Sequence, residues 1–362
     1  MERYGDTNTT RILNPREKCQ IEAIKTKEEF DKIIEDNPKI TVTELAILLN
    51  INEAYMAKVL RKYGHVDVIN KYNGVSSIEM SLRNFIETFG YEIETSNRTI
   101  LNGKELDIYI PELKIAFEFN DNYWHSDLFK DKKYHQNKSL ECRQKGIRLI
   151  HIYEYEWKDP EIKQKLKNLI SNILEKNKNK IYARNTYIKS IDVTLEKEFL
   201  NNYHLQGYTA SSVKLGCFDK KTDELLGVMT FGTPRFSTDT EYEIIRLCWK
   251  SNITVLGGTE KLFNYFINKY KVNSIGTYAD LNKFTGTVYT RLGFEDNGVS
   301  DPGYMWVSKE GDEVLPRYKT QKHKLLKLGL GGYGRTEDEI MKTIGYYKIY
   351  NSGNLRYTWN KK

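Results

Sequence analysis

The sequence predicts a mixed α/β (α+β) multidomain protein: a helical N-terminal segment, then two domains in which strands and helices interleave. Three observations predict it. The chain has 362 residues, more than one hydrophobic core normally serves. Its first 65 residues carry helical periodicity alone, whereas later residues alternate runs of period two with runs of period 3.6. A Lys/Asn-rich stretch near 176–181 then separates two such interleaved blocks. The expected divisions are 1–70, 75–178, 181–314 and a basic, aromatic-rich tail over 315–362.

In the first segment "TKEEFDKIIEDNP" reads as a helix, with Thr26 as N-cap, Glu29 completing a capping box and Pro38 as the stop. In "TVTELAILLNINEAYMAKVLRKYG", Thr43 caps a short helix, Asn50-Ile51-Asn52 turns, and a second helix follows. Two short helices about a tight turn form a helix-turn-helix pattern. The second helix presents Tyr55, Lys58, Arg61 and Lys62, side chains suited to phosphates and bases.

The next segment opens with the amphipathic "SIEMSLRNFIETFG", capped by Ser76 or Ser77. "KELDIYIPELKIAFEFN" reads as two paired strands turning at Pro111 and Glu112. "KKYHQNKSLECRQKG" is a helix stopped by Gly146, "IRLIHIYEYEW" a strand, and "DPEIKQKLKNLISNILEKNKNK" a helix running into the linker. The order α-β-β-α-β-α makes one mixed domain.

In the third segment "KLGCFDKKTDELLGVMTFGTP" reads as a hairpin about Lys221-Thr222-Asp223 and "EYEIIRLCWK" as a strand. "VLGGTEKLFNYFINKYK" is a glycine turn opening a helix, "SIGTYADL" a strand, and "TGTVYTRLGF" a short helix and turn. From Leu315 onward eleven Lys/Arg stand against three acids, a net of +8, while the whole chain carries +7. The rest is therefore near neutral. A basic stretch rich in tyrosine, with Lys322, Lys324 and Arg356, suits a polyanion with stackable bases, and double-stranded DNA is the expected partner.

With 39% apolar and 29% charged residues, no run approaches the roughly 20 apolar residues of a membrane span. The opening "MERYGDTNTTRILN" lacks the apolar core of a secretory signal. Cys19, Cys142, Cys217 and Cys248 are scattered without CxxC spacing, which argues against a zinc knuckle and a disulfide framework. A reducing cytoplasm is the expected location.

The chemistry concentrates in the second segment. Asp107 and Glu118 fall on neighbouring strands of the expected hairpin, where two carboxylates can hold Mg²⁺ (or Mn²⁺) with water completing the shell. Such a metal activates water against a phosphodiester. Glu79 on the preceding helix offers a third carboxylate, and His125 in "NYWHSD" a proton acceptor.

"LDIYIPELKIAFEFNDNYWHSD" followed by "CRQKGIRLIHIYEYEW" resembles the Vsr-like branch of the PD-(D/E)XK nucleases. That branch holds very-short-patch mismatch endonucleases and phage-borne "EDxHD" homing endonucleases. The resemblance spans about residues 75–175. It implies that Asp107 binds metal, that Trp124-His125 is the family's Trp-His pair, and that Glu79 is the helix glutamate. It also implies that His135 and Lys138 lie where a further active-site residue is expected, and that the Phe119 carbonyl is a second metal ligand. Asn120 stands where a standard site has lysine, so His125 becomes the expected base.

"LLGVMTFGTPRF", "EIIRLCWKSNITVLGGTEKLF" and "SIGTYADLNKFTGTVYTRLGF" resemble the Mom-type branch of the GNAT acyltransferase fold. The expected pyrophosphate loop reads "KSNITVLGG", with a Gly-Gly at the helix start that can offer N–H groups to an anion.

The leading reading is a Mg²⁺-dependent, site-directed DNA endonuclease of a mobile phage type, with the third segment docking DNA. The alternatives are a DNA-modifying GNAT-type acyltransferase with an attached DNA-binding module, and a catalytically decayed DNA-binding protein.

Overall fold

A computed structural model describes residues 27–37, 40, 42–49, 51–65, 77–175, 179–236, 239–309, 311 and 313–361. The expected roles of Thr26, Pro38, Asn50 and Ser76 lie outside them. Within α2, the same holds for the side chain of Thr43. The chain divides into two compact units, residues 1–81 and 82–362.

The first unit is helical: α1 (Lys27–Asp36), α2 (Val42–Leu48) and α3 (Glu53–Tyr63). Phe30, Leu45, Ala46, Ile51, Met56, Val59 and Leu60 form its core. Met56, Val59 and Leu60 repeat at helical spacing, which leaves Lys58, Arg61 and Lys62 exposed on the outer face. His65 Nε2 meets Asp31 Oδ1 at 2.6 Å, tying the end of this segment to α1.

Helix α4 (Ser77–Glu87) crosses the division. The second unit then builds a four-stranded sheet in the order β1 (Glu94–Leu101), β2 (Lys104–Ile110), β3 (Ile115–Asn120), β4 (Arg148–Tyr153). Strands β3 and β4 are parallel and linked by α5 (Tyr134–Gln144); the other pairs are antiparallel. All six residues of β3 are buried, as a central strand requires. Strand β1 was not expected. Its sequence ETSNRTIL is polar and mostly exposed, so it lacks the alternation that marks a half-buried strand. "EYEW" is also not strand: Glu154–Lys158 forms α6, with a capping box between Tyr153 and Glu156. Helix α7 (Pro160–Leu174) follows, capped by Asp159, which accepts from the N–H groups of Glu161 and Ile162.

Strand β5 (Lys180–Tyr182) lies where the linker was expected to end. The largest sheet has seven strands in the order β12-β16-β11-β9-β8-β7-β6. These are β6 (Thr186–Ser190), β7 (Val213–Asp219), β8 (Leu225–Gly232), β9 (Tyr242–Trp249), β11 (Ser274–Asp280), β12 (Glu295–Val299) and β16 (Asn354–Asn360). Helix α8 (Val193–Tyr203) packs Phe199 and Leu200 on one face, against Val228 and Cys248. Helix α9 (Gly258–Tyr270) packs Leu262, Phe263 and Phe266 on the other, against Met229, Phe231, Ile244 and Ile275. Strand β10 (Thr254–Leu256) pairs in parallel with β5, and α10 (Thr287–Arg291) precedes β12.

The residues expected to form a basic tail are integrated into these layers. The division at 315 falls inside β14 (Val314–Pro316), which belongs to a three-stranded sheet with β13 (Tyr304–Ser308) and β15 (Tyr346–Tyr350). Helices α11 (Lys322–Lys327) and α12 (Glu337–Thr343) cover it through Leu325, Ile340 and Met341, packed on Trp306. Strand β16 is inserted between β11 and β12, with Leu355 and Tyr357 in the main core. Among the described residues, no helix is long and apolar enough to cross a membrane.

Candidate functional site

Two places in the second unit concentrate functional chemistry. The first lies on the four-stranded sheet. Strands β2 and β3 pair Ile108 with Phe117, which brings Asp107 beside the end of β3. The Phe119 N–H donates to Asp107 Oδ2 at 2.7 Å. Glu118 points to the α5 side, where Lys138 Nζ donates to its Oε1, and both side chains are about 3% exposed. Burial, then the Glu118 charge, push the Asp107 carboxyl well above its ordinary value, against the opposing pull of Lys138 and the Phe119 N–H. Lys138 is held above its usual value although burial acts against it, because Glu118 and Asp107 both favour the ammonium.

This arrangement corrects the expectation of a Mg²⁺ (or Mn²⁺) site on Asp107, Glu118 and the Phe119 carbonyl. The charge that those carboxylates require comes from Lys138, delivered by the next helix and bonded directly to Glu118. Among the described residues, no three His, Cys, Asp or Glu side chains converge as metal ligands. The sequence placed Lys138 only where a further active-site residue is expected, not as the partner of Glu118. The partner stands 20 positions on, in α5.

The loop after β3 carries His125. Its Nδ1 lies 3.0 Å from His135 Nε2, and the two rings stack with centroids 5.2 Å apart. His151 on β4 continues the group. Its Nε2 is 2.8 Å from Ser139 Oγ and its Nδ1 3.2 Å from Asn120 Nδ2. Burial, followed by neighbouring cationic and imidazole groups, lowers His125 to about 2 and His135 to about 4. His151 is pushed well below its usual value by burial. All three imidazoles are neutral near pH 7. A base as weak as His125 is poorly matched to taking a proton from water.

The loop is anchored by the three-stranded sheet rather than left free. The Asp127 N–H donates to the Lys348 carbonyl at 2.7 Å, and Asp127 Oδ1 accepts from the Lys348 N–H at 2.9 Å. Tyr123, Trp124 and Phe129 pack on one another at its exposed rim. Glu79 sits half-buried in the first turn of α4.

Of the expected polyanion contacts, Lys58, Arg61 and Lys62 share the exposed face of α3, with Tyr55 half-buried one turn earlier. Lys322 is exposed on α11, Lys324 donates to the Tyr318 carbonyl, and Arg356 is exposed on β16, donating to the Asn297 carbonyl at 2.9 Å. Of the tyrosines in that stretch, Tyr346, Tyr347 and Tyr350 stand half-buried in β15 and Tyr357 is buried, while Tyr318 and Tyr333 are exposed.

The second place lies in the seven-stranded sheet. Strands β9 and β11 are its one parallel pair among the described residues, and they pair only from Tyr242 to Ile244 and from Ile275 to Thr277. Beyond that they diverge. At the same point the register between β8 and β9 slips: Phe231 faces Ile244, but Thr230 faces Arg246, so Ile245 is the extra residue of a bulge. After β9 the chain turns through Gly257, whose φ of 76° lies in the left-handed region, into the first turn of α9. A side chain at Gly258 would overlap the Trp249 ring, whose Nε1 donates to Thr259 Oγ1 at 3.2 Å. Glycine is needed there because helix and indole are in contact. A parting of strands, a bulge and the N–H groups of a helix start therefore meet along β9.

This strand order and parting are those of a GNAT-like fold. The chain is similar to the ribosomal-protein-S18-alanine N-acetyltransferase of Escherichia coli, at 9% identity over 48% of this chain and 93% of the other, with a TM-score of 0.28. It is similar to a Bacillus subtilis acetyltransferase solved with CoA, at 13% identity over 49% and 98%, TM-score 0.28. It is also similar to the spermidine/spermine N-acetyltransferase SpeG of Vibrio cholerae, solved with manganese ions, at 9% identity over 49% and 94%, TM-score 0.28. No family model matches the chain, and no curated protein does. The reading as a Mg²⁺-dependent DNA endonuclease is corrected at the site itself: Glu118 is paired with Lys138, Asp107 accepts from the Phe119 N–H, and among the described residues no set of metal ligands gathers there.

Proposed function

We propose that the GNAT-like part is an acyltransferase that takes its acyl group from a CoA thioester, and that the N-terminal helices direct it to nucleic acid. One observation carries the first half: the parting of β9 from β11 coincides with the bulge at Ile245. A parting between parallel strands admits an extended chain such as a pantetheine arm. A bulge leaves a main-chain N–H without its ladder partner, placed to polarise a thioester carbonyl. The helix start at Gly258 supplies N–H groups and the positive end of the α9 dipole to the pyrophosphate. Support for the second half is the exposed row Lys58, Arg61 and Lys62 on α3.

Calorimetric titration of the full chain with acetyl-CoA tests the reading. Saturable binding that is competed by CoA is expected. No heat and no thermal shift at millimolar acetyl-CoA would remove acyl transfer from consideration.

A further inference from the structure

We propose that residues 317–335, on the module inserted between β12 and β16, form a binding surface for single-stranded nucleic acid. The proposal stands apart from the acyl-transfer reading and from the basic face of α3. Strands β12 and β16 are antiparallel neighbours, a pair that a tight turn could join. Residues 300–353 join them instead, carrying β13, β14, β15, α11 and α12 around the Trp306 core. Residues 317–335 hold six Lys/Arg and no Asp or Glu. Only Thr320 and Leu325 are buried among them. The three acids that follow are taken up within the module. Glu337 Oε1 accepts from Tyr304 OH at 3.0 Å, Trp306 Nε1 at 2.9 Å and Thr320 Oγ1 at 3.1 Å. Asp338 pairs with Lys342 and Lys348 at 3.2 and 2.6 Å. Glu339 accepts from the main-chain N–H groups of Arg335 and Thr336. Among the described residues, the side chains of Lys319, Lys322, Lys327 and Arg335 form no ion pair.

Contacts run along this surface from one end to the other. Lys324 Nζ donates to the Tyr318 carbonyl and stands 5.5 Å from the centroid of the Tyr318 ring. The ring is thereby tied to α11 while 61% of the residue stays exposed. After α11 a single 3-10 turn, Leu330–Tyr333, folds back on the helix: a Cβ at Gly331 would lie 2.6 Å from Leu326 Cδ2. That turn carries Tyr333, 53% exposed, whose carbonyl accepts from Thr343 Oγ1 of α12 at 3.0 Å. A Cβ at Gly332 would meet nothing within 4 Å, so the main chain beside Tyr333 is open to close approach. Two exposed rings are thus fixed to either end of a helix that presents Lys322 and Lys327 to solvent.

Cations without counter-charges attract phosphates, and aromatic rings held in place offer a stack to bases. A duplex keeps its base faces inside its own stack, so the rings select an unpaired strand. The rival polyanion is an anionic bilayer, because Leu326 and Leu328 are also exposed. A helix that lies on a bilayer sinks a continuous apolar face into it. Helix α11 has six residues and turns Leu325 into its own core, which leaves no such face. A single strand matches what the surface offers: backbone to Lys322 and Lys327, bases to Tyr318 and Tyr333.

The test uses the full chain carrying Lys58→Ala/Arg61→Ala, so that duplex binding by α3 does not enter the readout. The probes are a fluorescein-labelled oligothymidylate of about 20 nucleotides, a duplex of equal length and phosphatidylserine vesicles. Anisotropy across a salt series should show saturable binding of the oligothymidylate, tighter than that of the duplex. Adding Lys322→Ala/Lys327→Ala should lower the salt slope by roughly 1.4, at about 0.7 for each phosphate contact on a single strand. Tyr318→Leu and Tyr333→Leu should each weaken binding at least about fivefold with the slope kept, as the loss of one stacked base requires. All four side chains are exposed, and thermal unfolding checks that the variants are folded. No saturable binding of oligothymidylate overturns the proposal, and so does wild-type affinity in both tyrosine variants. Tighter binding of the duplex overturns it as well. Vesicle binding that is lost with Lys322 and Lys327, while oligothymidylate binding is kept, gives the surface to a membrane and overturns it too. Acetyl-CoA titration decides the acyl-transfer reading separately, and neither result there alters these outcomes.

Discussion

Lys138 and Glu118 form a buried ion pair between α5 and β3, with Asp107 close enough for its charge to act on both. The pair joins a helix to the central strand of a small sheet. It removes the need for an external cation at carboxylates that would otherwise repel.

Replacing Lys138 with Met should therefore destabilise the protein by about 3–5 kcal/mol, because two carboxyl groups are left buried without their counter-charge. The double variant Lys138→Met/Glu118→Leu should recover most of that loss. Urea midpoints of the three proteins check it, and a loss below about 1 kcal/mol in the single variant would mean that water reaches the site.

Stability should fall on acidification because of the buried histidines. His125 and His135 are lowered to about 2 and about 4, and His204 to about 3, in each case first by burial. The unfolded chain binds protons to these rings below about pH 6.5, whereas the folded protein does not. Their contribution is thus complete above about 6.5 and is lost as pH falls toward the folded values. Asp107 acts in the opposite direction, since its raised carboxyl binds a proton in the folded state before the unfolded one. Urea midpoints at pH 7 and pH 5 should differ in favour of pH 7, and His204→Gln should shrink the difference. Equal midpoints would place charged imidazoles in the folded protein.

Gly258→Ala should cost about 1–3 kcal/mol by forcing the Trp249 ring from its place against α9. Thermal unfolding reads the loss, and Trp249→Leu added to Gly258→Ala should restore part of it. An unchanged melting temperature would show that the indole moves freely.

Lys58→Ala and Arg61→Ala should each weaken double-stranded DNA binding and lower its salt slope by roughly one. Fluorescence anisotropy across a salt series measures both quantities. Variants with the wild-type affinity and slope would place the nucleic-acid surface elsewhere.

What the sequence disclosed followed from local physics. Helix α3 was legible because Met56, Val59 and Leu60 repeat at helical spacing, and β3 because IAFEFN is apolar and bounded. The GNAT-like segment was readable at β8, β9, α9 and β11, where apolar runs and the Gly257-Gly258 turn stand out. Strand β16 was misread, because Lys and Arg counts in its neighbourhood concealed the inward alternation of Leu355 and Tyr357. Helix α8 had a readable N-cap in Asp192, which accepts from the Thr194 and Leu195 N–H groups. Its buried Glu196 looked like any helix-surface glutamate. The Lys138–Glu118 pair and the Thr230–Arg246 register arise only when distant segments pack, and no spacing rule encodes them.

The insertion of β16 between β11 and β12 also has a bearing on how the protein is made. During translation, β9 and β11 leave the ribosome well before residues 354–360, with residues 281–353 still to be synthesised. At about 5–20 residues per second, that interval is on the order of several seconds. Throughout it, the main-chain edge of β11 that β16 later covers stays open to pairing with another nascent chain. Synthesis speed and chaperone supply, rather than equilibrium stability, would then set the yield of folded protein. Slowed translation of residues 281–353 should increase aggregation while leaving the melting temperature of the surviving protein unchanged.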